Sequence, residues 1–210
     1  MQQAAKFWDQ AAEKYAQSPI EDVDAYNHTL GWTRSYLSAS DRVLEVGCGT
    51  GSTALVLAGN VDQIVASDIS KNMIEIAAKK AKDQGVSNVK FITADLSDGE
   101  ITDGPYDVVL ALNLLHLLED APAAIRHIHG LLEPGGTFIS KTVCRPGKGA
   151  PVKYRFFRII IPLMQLLGKA PYVNFMEINE LEEIVTSQGF KIIETGNHPP
   201  PSRYIVAKKI

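Results

Sequence analysis

The chain has 210 residues, of which 45% are hydrophobic and 21% charged, and its net charge is −3. That length and balance describe one globular domain with a substantial core, and exclude a disordered, collagen-like or disulfide-stapled chain. The slightly acidic balance gives no footing for nucleic acid as an obligatory partner, and two cysteines, Cys48 and Cys144, without metal-ligand spacing or a pairing pattern read as free thiols of a reducing compartment.

The amino terminus has no basic-then-apolar pattern of a signal peptide. The longest apolar stretch, residues 156–167, is interrupted by Arg158, Pro162 and Gln165 and is too short to span a bilayer. A cytoplasmic location is the expectation.

Residues 4–17 have helical period, with Phe7, Trp8, Ala11, Ala12 and Tyr15 along one side, and Ser18-Pro19 stops them. A second helix is predicted over 23–37, with Tyr26, Leu30 and Tyr36 apolar. Both precede the first strand, so residues 1–39 form a helical cap. Val43-Leu44-Glu45-Val46 is a short buried strand that runs into Gly47-Cys48-Gly49-Thr50-Gly51 and then a small-residue helix, 52–58. Glycines between a strand and a helix put bare backbone and unpaired N–H groups at the strand's carboxyl end, where nucleotide-like ligands settle in open parallel sheets. A dinucleotide fingerprint needs Gly-x-Gly-x-x-Gly; here Ser52 stands where its third glycine would fall. A nucleotide-dependent oxidoreductase would need that other spacing.

The second strand, 63–67, ends in Asp68, 21 residues beyond Gly47, the spacing of an acid that holds a ribose diol at the next strand's tip. Ser70 then caps a helix to Gln84, and Gly85 ends it. The third strand, 89–93, leads to Ala94-Asp95-Leu96, where Asp95 can accept from an adenine amine and Leu96 or Ile69 can lie against the ring. The fourth strand, 106–112, is nearly continuous in apolar residues, as a central parallel strand should be, and delivers Asn113 and His116 to the cleft. A helix over 121–132, the turn Glu133-Pro134-Gly135-Gly136 and a fifth strand, 137–142, follow. The last helix is predicted from Asn179, as N-cap with Glu182 closing a capping box, to Gln188. Strands 190–195 and 204–210 are joined by eight residues, too few for a crossover helix, so the final strand should be antiparallel.

Glu45, the glycine turn, Asp68-Ile69-Ser70, Ala94-Asp95-Leu96, the segment from Asn113 to Leu118 and Leu132-Glu133-Pro134-Gly135-Gly136 together resemble the class I S-adenosylmethionine-dependent methyltransferases. The branch with ubiquinone, menaquinone and other small-molecule methyltransferases is the nearest in pattern. The resemblance implies an α/β fold: a doubly wound, mostly parallel seven-stranded sheet with an antiparallel last strand and helices on both faces. It implies S-adenosyl-L-methionine as cofactor, with S-adenosyl-L-homocysteine as product, and no metal. The cofactor-binding candidates are Glu45, Gly47, Cys48, Gly49, Gly51, Asp68, Ile69, Asp95, Leu96 and Asn113. Trp8 and Tyr15 either pack in the core or cover the cofactor end of the cleft. If the acceptor is a hydroxyl, His116 is the candidate catalytic base, ahead of His28, because imidazole titrates near neutrality. A non-enzymatic cofactor-binding module is the alternative from another class.

Between Pro134 and Met176 the chain has seven Lys or Arg residues and no acid, and residues 145–175 are rich in large apolar groups such as Tyr154, Phe156, Phe157 and Leu163. This insert reads as a lid over a small, apolar acceptor, with Arg155 or Arg158 able to meet an acidic group on it. Docking on an anionic membrane surface is the second reading of the same residues.

Overall fold

The computed structural model describes residues 2–96, 100–101, 103–145, 164–165 and 170–210. One seven-stranded sheet runs β3-β2-β1-β4-β5-β7-β6. Its strands are β1 Arg42–Val46, β2 Gln63–Asp68, β3 Val89–Thr93, β4 Tyr106–Leu112, β5 Leu132–Val143, β6 Phe190–Gly196 and β7 Ser202–Lys209. The strands β1 to β5 pair in parallel, and β7 lies antiparallel to both β5 and β6, as the short last connection requires. The sheet reverses direction between β1 and β4, which opens a crevice at their carboxyl ends.

Helices α1 Gln2–Gln17, α2 Val23–Arg34, α3 Ser52–Leu57, α4 Lys71–Gln84, α5 Ala121–Leu131 and α6 Ile178–Ser187 cover the sheet. Alternation along each strand separates two cores. Val43, Leu110, Ile139 and Val206 meet Leu30 of α2 and Ala54 and Leu57 of α3, whereas Leu44, Val109 and Phe138 meet Ile125 and Ile128 of α5 and Leu181 and Val185 of α6. The helix α1 packs instead on α4. Asp9 accepts from Ser70 Oγ at 2.7 Å and from the backbone N–H of Asn72 at 3.1 Å, and Asn72 Nδ2 donates to Asp9 O at 3.0 Å. Asp9 therefore supplements Ser70 as a cap on α4 from another helix.

Three boundaries differ from expectation. The helix α2 ends at Arg34, and the chain continues to Leu37 through short-range turns, Tyr36 N–H to Thr33 O and Leu37 N–H to Arg34 O. The helix α6 starts before Asn179: Glu177 is its N-cap and Glu180 closes the capping box, so Asn179 lies inside the first turn. The strand β5 starts at Leu132, because Leu132 already pairs with Tyr106, and the Glu133–Gly136 turn bulges out before Val108 pairs with Thr137.

Both ends of the insert return to the carboxyl edge of the sheet. The backbone N–H of Arg145 donates to Met176 O and that of Asn174 to His116 O, each at 2.7 Å. Most of the insert, including Tyr154, Arg155, Phe156, Phe157 and Arg158, lies outside the described residues. No helix among the described residues is long and apolar enough to cross a membrane.

Candidate active site

The glycine turn closes the carboxyl end of β1. Gly47, Gly49 and Gly51 all have positive φ, between 54° and 74°, which side chains rarely adopt. Two of them are also packed shut: a Cβ on Gly47 would lie 2.7 Å from Leu114 Cδ1, and one on Gly51 2.6 Å from Phe91 Cε1. Over Gly49 the only near atom among the described residues is Tyr15 Cε1, at 3.7 Å. The turn therefore has one open backbone face, and it lies beneath the end of α1. Lys80 grips the turn, donating to Thr50 Oγ1 at 2.9 Å and to Thr50 O at 3.2 Å.

Two acids stand against this face. Asp68, at the tip of β2, accepts from Gly49 N–H through Oδ2 and from Ser70 N–H through Oδ1, both at 2.9 Å. Burial raises its pKa and these backbone donors oppose the rise. Each oxygen keeps a second lone pair, which fits a ribose diol. Glu45 is 3% exposed and points toward α3, where Ala54 N–H meets its carboxyl. Its Oε2 has no partner, and burial pushes the carboxyl up to about 8, so the ligand-free site holds it protonated at neutral pH. A buried, orphaned carboxyl oxygen beside a bare glycine turn fits a ligand with a cationic group. The hydroxyls of Tyr15 and Tyr26 are raised chiefly by burial and further by Glu45, which places α1 and α2 around the same acids.

The other candidates fall along the same carboxyl edge. Ile69 is half-buried beside Asp68, and Asp95 is half-buried just beyond β3. Leu96 is buried in the core with Ile101 and Tyr106, so of the two apolar candidates Ile69 is the one with surface to offer a ring. Cys48 is buried, and burial raises its thiol well above the ordinary range, so it is an inert packing residue of the turn. Asn113 is exposed at the tip of β4 with φ 61°, and its N–H donates to Lys141 O at 2.7 Å. His116 follows in a short 3-10 turn, Leu115–Leu117, with its Nδ1 covered and unpartnered; burial lowers its pKa to about 4. It is a neutral imidazole. His28 sits instead against His198, ring centroids 4.3 Å apart, and His127 and His129 belong to α5.

Tyr26, expected only as an apolar position of the second helix, supports this edge, as do three residues without an expected role: Asp9, Lys80 and Lys141. For Lys141 there was a signal, a lysine inside the apolar run of β5. Asp9 and Lys80 look like ordinary polar positions on helix surfaces. An open hollow of about 570 Å³, lined by Arg42, Asp62, Gln63 and Asn88 among others, lies at the opposite, amino ends of β1 to β3 and is unrelated to the acids. Among the described residues no three His, Cys, Asp or Glu side chains gather as a metal site.

Residues 43–136 match a family described as methyltransferase domain. An uncharacterized methyltransferase, YcgJ of Bacillus subtilis, is 31% identical over 101 residues, 48% of this chain, and the chain spans only 40% of that relative's length. The ubiquinone biosynthesis O-methyltransferase of Acinetobacter baylyi is 26% identical over 205 residues, covering 94% of this chain and 82% of that protein. Among solved structures, the DhpI complex with S-adenosylhomocysteine superposes with a TM-score of 0.75 at 22% identity, over 99% of this chain and 96% of that one.

Proposed function

We propose that the chain, whose residues 43–136 match a methyltransferase domain, is a class I S-adenosylmethionine-dependent methyltransferase that transfers a methyl group to a small, lipophilic acceptor. One observation carries the cofactor half of this reading: the open face of Gly49 is tied by its own N–H to Asp68, with the orphaned Glu45 carboxyl alongside. In this reading Gly47, Gly49 and Gly51 let the methionyl part approach the backbone, and Glu45 meets its ammonium. Asp68 takes the ribose, Asp95 the adenine amine and Ile69 its ring face. Asn113 shapes the wall, with Cys48 packed in the turn and Leu96 in the core behind it. Bound S-adenosylmethionine supplies a methyl already activated on a sulfonium. The protein's share is then to hold the acceptor atom in line, about 3 Å from it, and to keep water out.

His116, a neutral imidazole beside the tip of β4, orients an acceptor hydroxyl by a hydrogen bond. A group with so low a pKa is a weak proton acceptor, so positioning is its main contribution. The lipophilic acceptor rests on the apolar insert, whose two ends are pinned at Met176 and His116 beside the cleft, and on the likeness to a ubiquinone-pathway enzyme. The amino-terminal 39 residues act as a cap on this single domain. Calorimetry with S-adenosylhomocysteine and EDTA should show one site per chain. Methyl-labelled S-adenosylmethionine should then deliver label to a quinol or phenol from a panel of apolar acceptors. No heat at millimolar cofactor would end the methyltransferase reading.

A further inference from the structure

Lys141 has no part in the reading above. It lies two residues before the end of β5 and is level across the ladders with Leu112 of β4 and Tyr204 of β7, on the face covered by α2. It is 9% exposed. Its Nζ donates to Thr29 Oγ1 at 2.9 Å, and that hydroxyl spends its own proton on Ala25 O at 2.9 Å, so it can only accept from the lysine. One of the three ammonium N–H groups is thereby placed. Among the described residues no carboxylate lies within ion-pair distance of it; the acid whose field reaches it, Asp22, has Oδ1 bound to Ala25 N–H at 2.8 Å. Burial lowers its pKa. A buried cation so poorly partnered costs stability, and an apolar chain of similar length would fill the same space without that cost. Its carbonyl holds Asn113 N–H at 2.7 Å, which fixes the lysine to the tip of β4. That tip leads to His116, which orients the acceptor in the proposed function, and carries Leu114, which packs on Gly47 of the turn assigned to the methionyl part.

We propose that Lys141 is the cationic end of a carboxylate subsite between α2 and the carboxyl ends of β4 and β5, with Thr29 holding the ammonium in place. The inference rests on the methyltransferase reading for its two possible occupants, the methionyl carboxylate of the cofactor and an acid group on the acceptor. The chemistry recognised is the same for both, a carboxylate against a half-satisfied ammonium.

Lys141→Met and Lys141→Arg separate the sources. If the occupant is the cofactor's tail, Lys141→Met weakens S-adenosylhomocysteine binding by roughly ten- to a hundredfold, from the strength of a charged hydrogen bond. The decarboxylated form of the same nucleoside then binds wild type and variant alike. If the occupant is the acceptor's acid, Lys141→Met binds S-adenosylhomocysteine as wild type does. A panel of matched carboxylic acids and primary amides, offered to the cofactor-saturated protein, then favours acids in wild type and Lys141→Arg but not in Lys141→Met. Lys141→Met should also melt at a higher temperature; Lys141→Gln carries the same readouts if the methionine variant does not fold. Unchanged S-adenosylhomocysteine affinity together with the same acid preference in wild type and Lys141→Met, or no acid preference in either, overturns the proposal. Wild type that binds no S-adenosylhomocysteine would defeat the methyltransferase reading instead, and the acid and amide panel on the free protein would still test Lys141.

Discussion

Asp68 has two tasks, and a single substitution at it should cost twice. Asp68→Ala removes the proposed ribose contact, expected to weaken cofactor binding by about 1.5–3 kcal/mol. It also strands the N–H groups of Gly49 and Ser70, which lowers folding stability by about 1–3 kcal/mol. Calorimetry and urea melts read the two losses separately, and an Asp68 variant that binds normally would remove the ribose assignment. Glu45 gives a pH signature. Its folded pKa of about 8 lies above the ordinary 4.5, so the folded chain holds the extra proton and stability falls as pH rises through that window. His116 runs the other way: its folded pKa of about 4 lies below 6.5, so stability rises with pH between those values. The two oppose each other below 6.5 and Glu45 acts alone above it. The ligand-free Tm should therefore drop from pH 6.5 to 8, and Glu45→Gln should flatten that drop. His116→Ala should reduce kcat by about ten- to a hundredfold, no more than the low end of the roughly 10²–10⁴-fold range for a proton-transferring group, as suits a positioning role. The wild-type rate profile should show no step at pH 6.5 from this residue; such a step would mean that His116 titrates normally and acts as a base.

At the scale of elements, α1 is a cover seated on α4, with Ala12 fully buried. The residues between α1 and α2, 18–22, are all exposed, and Asp9 with Asn72 supplies the polar part of its seat on α4. Asp9→Ala should remove about 1 kcal/mol of capping and seating. It should lower S-adenosylhomocysteine affinity a few fold, with little change in far-UV circular dichroism. Unaltered affinity would mean that α1 does not cover the cofactor. Most elements were legible in the sequence because their patterns are one-dimensional: a nearly continuous apolar run for β4, a glycine stop at Gly85 and at Gly189, too short a link for anything but a hairpin at the end. The start of α6 was not, because two boxes overlap there, and the one with a glutamate as N-cap is the less favoured on local grounds. The candidate acids Asp68 and Asp95 were legible from their places after β2 and β3, and Glu45 through the resemblance. What escaped was support that depends on partners distant in the chain: Asp9 on Ser70, Lys80 on Thr50, and Lys141, whose inward face follows only from its register with Tyr204.

For the whole molecule, the insert can be removed without cutting the cleft, because Arg145 and Met176 already meet by a backbone hydrogen bond. Replacing residues 146–173 with a short Gly/Ser linker should leave S-adenosylhomocysteine affinity within a few fold and abolish methyl transfer. Loss of cofactor binding as well would put the insert in the cofactor site or the core. Flotation with anionic vesicles tells a lid from a membrane contact: salt-sensitive binding that vanishes with the insert marks docking, and no flotation with loss of turnover marks a lid.

The place of β7 has a consequence for how the chain is made. It is later in sequence than β6 but lies between β5 and β6, so neither has its neighbour until β7 emerges from the ribosome. Until then β5 and β6 each present a bare edge, and the buried side chains of Phe138 and Phe190 have no common wall. The closing step joins residues far apart in sequence and comes late, which makes a nascent chain stalled between 197 and 201 the form most exposed to aggregation. Chains ending there should collect in the insoluble fraction, whereas chains carrying β7 should not.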